Sequence, residues 1–281
     1  MLHIEVTRKS RTYALSSALT LLILLSCSAA PRNFPQSETG KFFSLTNIQT
    51  DTLFNSRQII HVITIPDTSL KWLNIEFAYS DSALVKTSSI AEQHHAVAAV
   101  NGSFFDMDSG GSVCYFELND SVISRTKSSG KWAIPDSLAN GAVVLSKDSH
   151  IEIQPAKTEK FYEESKQENA VLISGPLLIH NSQPMKLPDM QFSEKRHPRT
   201  FLCLTQNAVL LIAVDGRSAT AEGMSLYEAQ KYLQSLGCVD AINLDGGGST
   251  TMWTKDNGLV NHPSDKTGER RVADEILIIE K

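Results

Sequence analysis

Cysteine is scarce in this chain: four in 281 residues, at positions 27, 114, 203 and 238. That excludes a disulfide-dense scaffold, and the spacing matches no zinc-binding pattern. Cys203 and Cys238 lie in apolar runs where buried thiols are common, so Cys114, Cys203 and Cys238 read as structural. One disulfide is possible outside the cytoplasm, with one thiol left over. Positive charge is short too: 26 Lys and Arg stand against 31 Asp and Glu, a formal charge of −5. Removing residues 1–26 takes away three basic residues and one acid and moves the charge to −7. Such a balance argues against nucleic acid as a partner, and an anionic ligand must be met by a local convergence of cations. Repeats, low-complexity blocks and coiled-coil heptads are absent from the sequence.

The longest apolar run sits at the start. Arg8, Lys9 and Arg11 precede residues 14–25, a run too short to span a bilayer comfortably and followed by small residues, as in a secretory signal. It ends Leu24-Leu25-Ser26-Cys27, which resembles a bacterial lipobox with Cys27 as the lipid-modified first residue. The alternative is an ordinary signal processed near Ala29-Ala30. Residues 31–40 are polar and proline-bearing, a tether. The expected organisation is a lipoprotein signal over 1–27, a tether over 28–45, an N-terminal strand region over 46–94 and a main domain over 95–281. The expected location is the bacterial cell envelope, lipid-anchored on the periplasmic or outer-membrane face.

Residues 58–65 and 72–79 alternate like strands. A capping box, Ser89 to Glu92, predicts a short helix through His95, and 96–100 reads as a buried strand. Short strands are expected at 113–117, 121–125 and 142–145, and a charged helix or excursion over 157–169. Apolar segments follow at 170–179, broken by Gly175-Pro176, and at 201–205 and 208–214. A second capping box, Ser225 to Glu228, opens a helix with Leu226, Ala229, Tyr232, Leu233 and Leu236 on one face. Gly237 stops it, strand 239–244 follows, and 276–279 is the last strand. A strand, a helix and a strand form a crossover unit, which makes 208–214 and 239–244 expected parallel neighbours. The fold class is therefore α+β or α/β: a mixed twisted sheet with flanking helices, one strand-helix-strand crossover and an N-terminal strand layer.

The chain is organised around residues 239–253. An apolar run delivers Asn243 and Asp245 to Gly246, Gly247 and Gly248, and Ser249, Thr250 and Thr251 follow at once. Glycine lets a backbone approach a ligand closely, and successive amides in such a turn can cradle an anion. Two more buried strands end in polar, glycine-bearing turns: Asn101-Gly102 to Asp106, and Asp215-Gly216-Arg217. Ligands bind at such strand ends in α/β sheets. Arg199, Arg217 and Arg270 each flank a predicted strand, and the planar fork of arginine suits phosphate.

Six motifs occur in a recognisable order: Asn-Gly-Ser-Phe-Phe at 101–105, Pro-Arg-Thr at 198–200, Asp-Gly-Arg at 215–217, Gly-Met-Ser-Leu-Tyr-Glu-Ala at 223–229, Asn-Leu-Asp-Gly-Gly-Gly-Ser-Thr at 243–250 and Gly-Glu-Arg at 268–270. Together they resemble the phosphodiester glycosidase family, over roughly 95–281. A mammalian member removes N-acetylglucosamine from a mannose-6-phosphate tag. The lipobox makes this chain look like a bacterial relative, which excludes a lysosomal tag as its substrate. The resemblance implies a catalytic domain over 95–281 that hydrolyses a sugar-1-phosphodiester, or a phosphorylated glycan, at the anomeric carbon. A phosphomonoester leaves more readily than an alkoxide, so cations on the phosphate matter more than a general acid.

Arg199, Arg217 and Arg270 are accordingly assigned to phosphate, assisted by the Gly246, Gly247 and Gly248 amides and Ser249. Asp106, Asp215 and Asp245 are candidates for base, nucleophile or sugar contact, and Asn101 and Asn243 for orienting donors. No cofactor is expected, with a divalent cation possible. Two further readings are a metal-dependent phosphodiesterase, whose three aspartates hold a hard cation, and a non-catalytic glycan-binding lipoprotein.

The leader supplies the first prediction. Cys27→Ala abolishes fatty-acid labelling and releases the protein from membranes, because stable anchoring depends on the acyl chains that the cysteine carries. Labelling that persists in the variant overturns the lipobox reading.

Overall fold

A computed structural model describes residues 36–39, 41–81, 83–148 and 150–281; the leader with Cys27 lies outside them. Apolar residues alternating along successive strands build one eight-stranded sheet. Its order is Gln36–Thr39, Ser44–Thr50, Gln58–Pro66, Ala208–Val214, Arg199–Leu204, Asp240–Asn243, Leu177–His180 and Gln183–Pro184. One face carries Leu45, Ile63, Leu202, Leu211, Ala213 and Ile242 into a core shared with residues of two five-stranded sheets, among them Phe77, Val100, Phe116, Leu172 and Ile276. The other face, with Ile60, Val62, Phe201, Ile212 and Val214, packs on Leu226, Ala229, Tyr232 and Leu233 of the helix Leu226–Ser235. Period two on the strands and the 3.6-residue helical repeat meet on that second face.

One five-stranded sheet runs Ile151–Pro155, Gly141–Ser146, Glu168–Ser174, Phe116–Leu118 and Ser121–Ser124. The other runs Gly258–Leu259, Met252–Thr254, Ala96–Asn101, Asp274–Glu280 and Leu73–Tyr79. Helices among the described residues are few and short, so the architecture is mixed but more β-rich than expected.

The crossover is present, with a correction. Strands Ala208–Val214 and Asp240–Asn243 run in the same direction, but Arg199–Leu204 lies between them and pairs antiparallel with both. The physical reason is the hairpin at Thr205–Asn207: Arg199–Leu204 takes the slot beside its hairpin partner before the helix crosses. Asp215 and Asp245 still leave the sheet at one end, and Arg199, opposite Val214, starts there.

The N-terminal strands are not a separate layer either. Gln58–Pro66 pairs with Ala208–Val214, and Leu73–Tyr79 with Asp274–Glu280, because strands with two apolar faces need neighbours from elsewhere in the chain. Part of the expected tether, Gln36–Thr39, pairs with Ser44–Asn47.

The two capping boxes part ways. At Ser225 both halves form: Glu228 N donates to Ser225 Oγ at 3.2 Å, and Ser225 N to Glu228 Oε2 at 3.0 Å. The Ser89 box does not form. The helix is Thr87–Gln93, and Glu269 from far along the chain caps it instead, accepting from Ser88 N at 2.8 Å and Ser88 Oγ at 2.6 Å.

Cys203 and Cys238 form a disulfide with Cα atoms 5.8 Å apart, and Cys114 is a buried free thiol. The bond ties the strand Arg199–Leu204 to the turn after the long helix across 35 residues of chain. Closing a loop of that length stabilises the fold by roughly 3–4 kcal/mol. Cys238→Ala should lower the denaturation free energy by about that amount. Dithiothreitol should then have no further effect on the variant, while it brings the wild type down to the same midpoint. Equal stability in the two proteins refutes the assignment.

Candidate active site

The glycine run links two sheets. Strand Asp240–Asn243 ends in the eight-stranded sheet, the 3-10 turn Gly247–Ser249 follows, and Met252–Thr254 continues in a five-stranded one. Side-chain space explains why glycine is needed. A Cβ on Gly247, whose φ is +63°, would lie 2.9 Å from Arg217 Nη2. One on Gly248 would lie 2.0 Å from Arg270 Nη2 and 2.3 Å from Asp265 Oδ1. Two guanidiniums thus pack against consecutive glycines, from chain segments 53 residues apart in the sequence.

Arg270 is held by Asp265, with Nε to Oδ2 at 2.7 Å and Nη2 to Oδ1 at 3.0 Å, and its Nη1 donates to Ser249 Oγ at 3.3 Å. Arg217 is exposed, with φ +58° and Nη2 3.3 Å from His197 Nδ1. Two of the three glycine amides are already bonded: Gly246 N to Asp245 Oδ1 at 2.8 Å and Gly247 N to Pro198 O at 2.9 Å.

Asp245 and Arg270 line a cavity of about 200 Å³. Its wall is apolar and aromatic, with Phe104, Phe105, Val113, Trp132 and Ile134, and Lys131 at the rim. Trp132 and Lys131 come from the loop between Ser121–Ser124 and Gly141–Ser146, and both donate to Asp108 Oδ2, at 2.9 and 2.7 Å. The Asp245 carboxyl, half-buried, rises from its ordinary 3.8 to about 6. Burial drives the rise and the charge of Asp274 adds to it, against the Ser249 hydroxyl, the Gly246 amide and Arg270. Asp274 is buried and accepts from Ser103 N at 2.5 Å and Ser103 Oγ at 2.7 Å, and burial lifts it to about 6 as well.

The other expected residues have different surroundings. Asp106 accepts from Lys127 Nζ at 2.8 Å and from the amides of Asp108 and Ser109. The Lys127 bond is the main reason its carboxyl lies well below the usual range, and it organises the loop that carries Met107. Asp215 is buried beside His61 and His262; burial pushes its carboxyl up, but those contacts outweigh it and leave it below the ordinary value.

Arg199 is fully buried and donates to Met224 O at 3.1 Å, Phe192 O at 2.6 Å and Lys195 O at 3.1 Å. Burial lowers it to about 9, and its guanidinium lies 4.7 Å from the ring of Phe192. Phe192 in turn meets the cavity residue Phe104 edge-on at 5.9 Å. Arg199 therefore supports the aromatic wall from behind. Asn101 and Asn243 are buried and bonded to backbone: Asn101 Nδ2 to Asp245 O at 2.7 Å, Asn243 Nδ2 to Gly175 O at 2.7 Å and Leu244 O at 2.6 Å.

The structure brings Asp245, Gly246–Ser249, Arg217 and Arg270 to one place, while Asp106, Asp215, Arg199 and Asn243 each answer to other partners. Sequence reasoning missed Asp265, Asp274, Trp132, His61 and His262. Trp132 and Asp265 sit in stretches without periodicity, and the histidines carry no local signal. Asp274 alone left a trace, closing the run Gly268 to Asp274.

An acid and a guanidinium on the lining of an aromatic-walled cavity match the usual form of a small-molecule site, mostly apolar with a few placed polar groups. The chain belongs to the phosphodiester glycosidase family, whose model matches residues 94–279. It is 27% identical over 202 residues to the SPbeta prophage-derived uncharacterized protein YomE of Bacillus subtilis, covering 68% of this chain but 29% of that protein. This chain thus matches less than a third of that relative's length.

Two solved structures share its fold. One is the catalytic domain of zebrafish N-acetylglucosamine-1-phosphodiester alpha-N-acetylglucosaminidase, auto-inhibited by its pro-peptide, with TM-score 0.65 at 19% identity over 90% of this chain and 85% of that one. The other is a hypothetical protein from Synechocystis, with TM-score 0.65 at 15% identity over 90% and 64%.

Asp274 yields a test by pH. Its folded-state carboxyl is raised, so the stability it supports is complete below 3.8 and is lost as the pH climbs through about 6. Asp274→Asn cannot ionise there. Denaturation midpoints should therefore fall more steeply with rising pH in the wild type than in the variant across that window, and parallel curves exclude a perturbed Asp274.

Proposed function

We propose that the chain hydrolyses a sugar-1-phosphodiester at the anomeric carbon, releasing a free sugar and a phosphomonoester. One observation carries this reading: among the described residues Asp245 is the one carboxylate on the cavity lining, and it shares that lining with Arg270 and the Trp132–Phe104 wall. The aromatic wall suits the apolar faces of a sugar ring, and Arg270 suits the phosphate. A carboxyl near 6 is matched to proton transfer close to neutral pH, which favours Asp245 as general base over nucleophile. Water attacks C1 while Asp245 takes its proton. The C1–O bond breaks, and its electron pair leaves on the phosphate oxygen, so no acid has to protonate the leaving group. Single displacement by water inverts the anomeric centre.

The metal-dependent phosphodiesterase reading has less support. Asp106 is engaged by Lys127, Asp215 by two histidines, and Asp245 faces the cavity, so the three aspartates form no common ligand set among the described residues. For location, the lipobox supports lipid anchoring at Cys27 in a bacterial envelope, and the Cys203–Cys238 disulfide suits an oxidising compartment. The substrate class is then an envelope or extracellular glycan joined through phosphate.

A panel of sugar-1-phosphodiesters in ¹⁸O-labelled water provides the test. The label should enter the sugar hydroxyl, and label on the phosphate sinks the reading because it reports P–O cleavage. Asp245→Asn should lower kcat/KM by roughly a hundredfold or more and remove the limb near pH 6, while the variant stays folded. A folded variant with full turnover excludes Asp245 as the base.

A further inference from the structure

Three ligand-type atoms converge where Asp215 leaves the eight-stranded sheet: His61 Nε2, Asp215 Oδ2 and His262 Nδ1, all within 4.8 Å of one another. His61 is a buried residue inside strand Gln58–Pro66, with Asn47 and Ala213 as its cross-strand neighbours. Its Nδ1 lies 2.7 Å from Asn47 Oδ1, an oxygen that only accepts. In the neutral ring that bond places the hydrogen on Nδ1 and leaves a lone pair on Nε2. This lone pair faces Asp215 Oδ2 at 3.5 Å, among groups that are almost fully buried.

Two acceptors that face each other in a low-dielectric site repel unless a positive charge lies between them. The separation is long for a hydrogen bond. It is close to the distance between two ligands of one tetrahedral ion, about 3.4 Å for bonds of about 2.1 Å. The third atom arrives from the loop before Arg271–Val272. His262 Nδ1 is 2.8 Å from Asp215 Oδ2, a hydrogen-bond distance that has to open when an ion takes the proton's place; its amide donates to Asp215 Oδ1 at 3.0 Å, and its side chain is 79% exposed. Asn47 thus fixes the tautomer of one ligand and the His262 amide fixes the orientation of another, as outer partners do in protein metal sites.

We propose that His61, Asp215 and His262 bind one divalent transition-metal ion, with Zn²⁺ as the best match to two imidazoles and a carboxylate. The exposed side of His262 leaves room for water in the remaining position. The ion acts as a clamp: it joins the eight-stranded sheet to the loop that carries Asp265 and Arg270, three and eight residues past His262. The inference does not depend on the proposed hydrolysis and is tested without a substrate.

Full-length protein, purified in detergent without a histidine tag and stripped with a chelator, is titrated with Zn²⁺ by calorimetry. One Zn²⁺ per chain is expected. His262→Ala, which trims an exposed side chain, should weaken binding at least tenfold, while His94→Ala on an exposed helix end should not. At a hundredfold excess over Kd the melting temperature should rise by about 5 °C in the wild type and the His94 variant, and not in His262→Ala. Failure of the wild type to bind Zn²⁺, or binding that His262→Ala leaves unchanged, overturns the proposal and leaves a proton as the charge between His61 and Asp215.

Discussion

A single buried amide joins two sheets where the candidate site forms. Asn101 ends a strand of one five-stranded sheet. Its Nδ2 holds the carbonyl of Asp245, and its Oδ1 accepts from Thr200 Oγ1 at 2.7 Å and Thr251 N at 3.0 Å. Thr200 belongs to the eight-stranded sheet, and Asp245 and Thr251 bracket the glycine run. The amide separates donor from acceptor, so one side chain can hold a carbonyl through Nδ2 while Oδ1 accepts twice. An aspartate would face the Asp245 carbonyl with an acceptor, and leucine would leave three buried groups unpaired, each costing about 1–3 kcal/mol. The position of the glycine run, and so of Asp245, depends on this amide.

Around that joint the protein keeps its acids in graded environments. Asp106 is tied to a lysine and lies well below the usual range, whereas Asp245 and Asp274 are lifted to about 6 by burial. Glu275, opposite Asn101 in the sheet, is raised well above its ordinary value, and its Oε1 has no partner among the described residues. The differences follow from what each carboxyl touches, since the residues lie within one chain fold and share a solvent. A graded set of this kind separates Asp106, which holds a loop, from Asp245 and Asp274, which can change protonation near pH 6.

Much of the site was legible in the sequence because its motifs are local. Strand ends, the Ser225 capping box and the three glycines are fixed by residues a few positions apart, and the order of six motifs carried the family. What escaped notice depends on distant partners. The Ser89 box was a sound local pattern, but Glu269, 181 positions from Ser88, supplied a stronger cap. Arg199 carries the strand-flanking position, the planar fork and the Pro-Arg-Thr motif that suit phosphate, whereas its burial against three carbonyls follows from the packing of Phe192 and Met224. The position of Arg199–Leu204 between two parallel strands could not be read from spacing either, because a crossover does not state how many strands it passes over.

That inserted strand sets a scale. Neighbouring strands lie about 4.8 Å apart, so the ends of Ala208–Val214 and Asp240–Asn243 leave the sheet about 10 Å from each other. Had they been neighbours, Asp215 and Asp245 would have shared one first shell of solvent, and each charge would have strongly perturbed the other. With Arg199–Leu204 between them, two carboxylates at one edge can hold different protonation states at the same pH. The hairpin thus acts as an electrostatic spacer, and a change at either aspartate can be accommodated without retuning its counterpart.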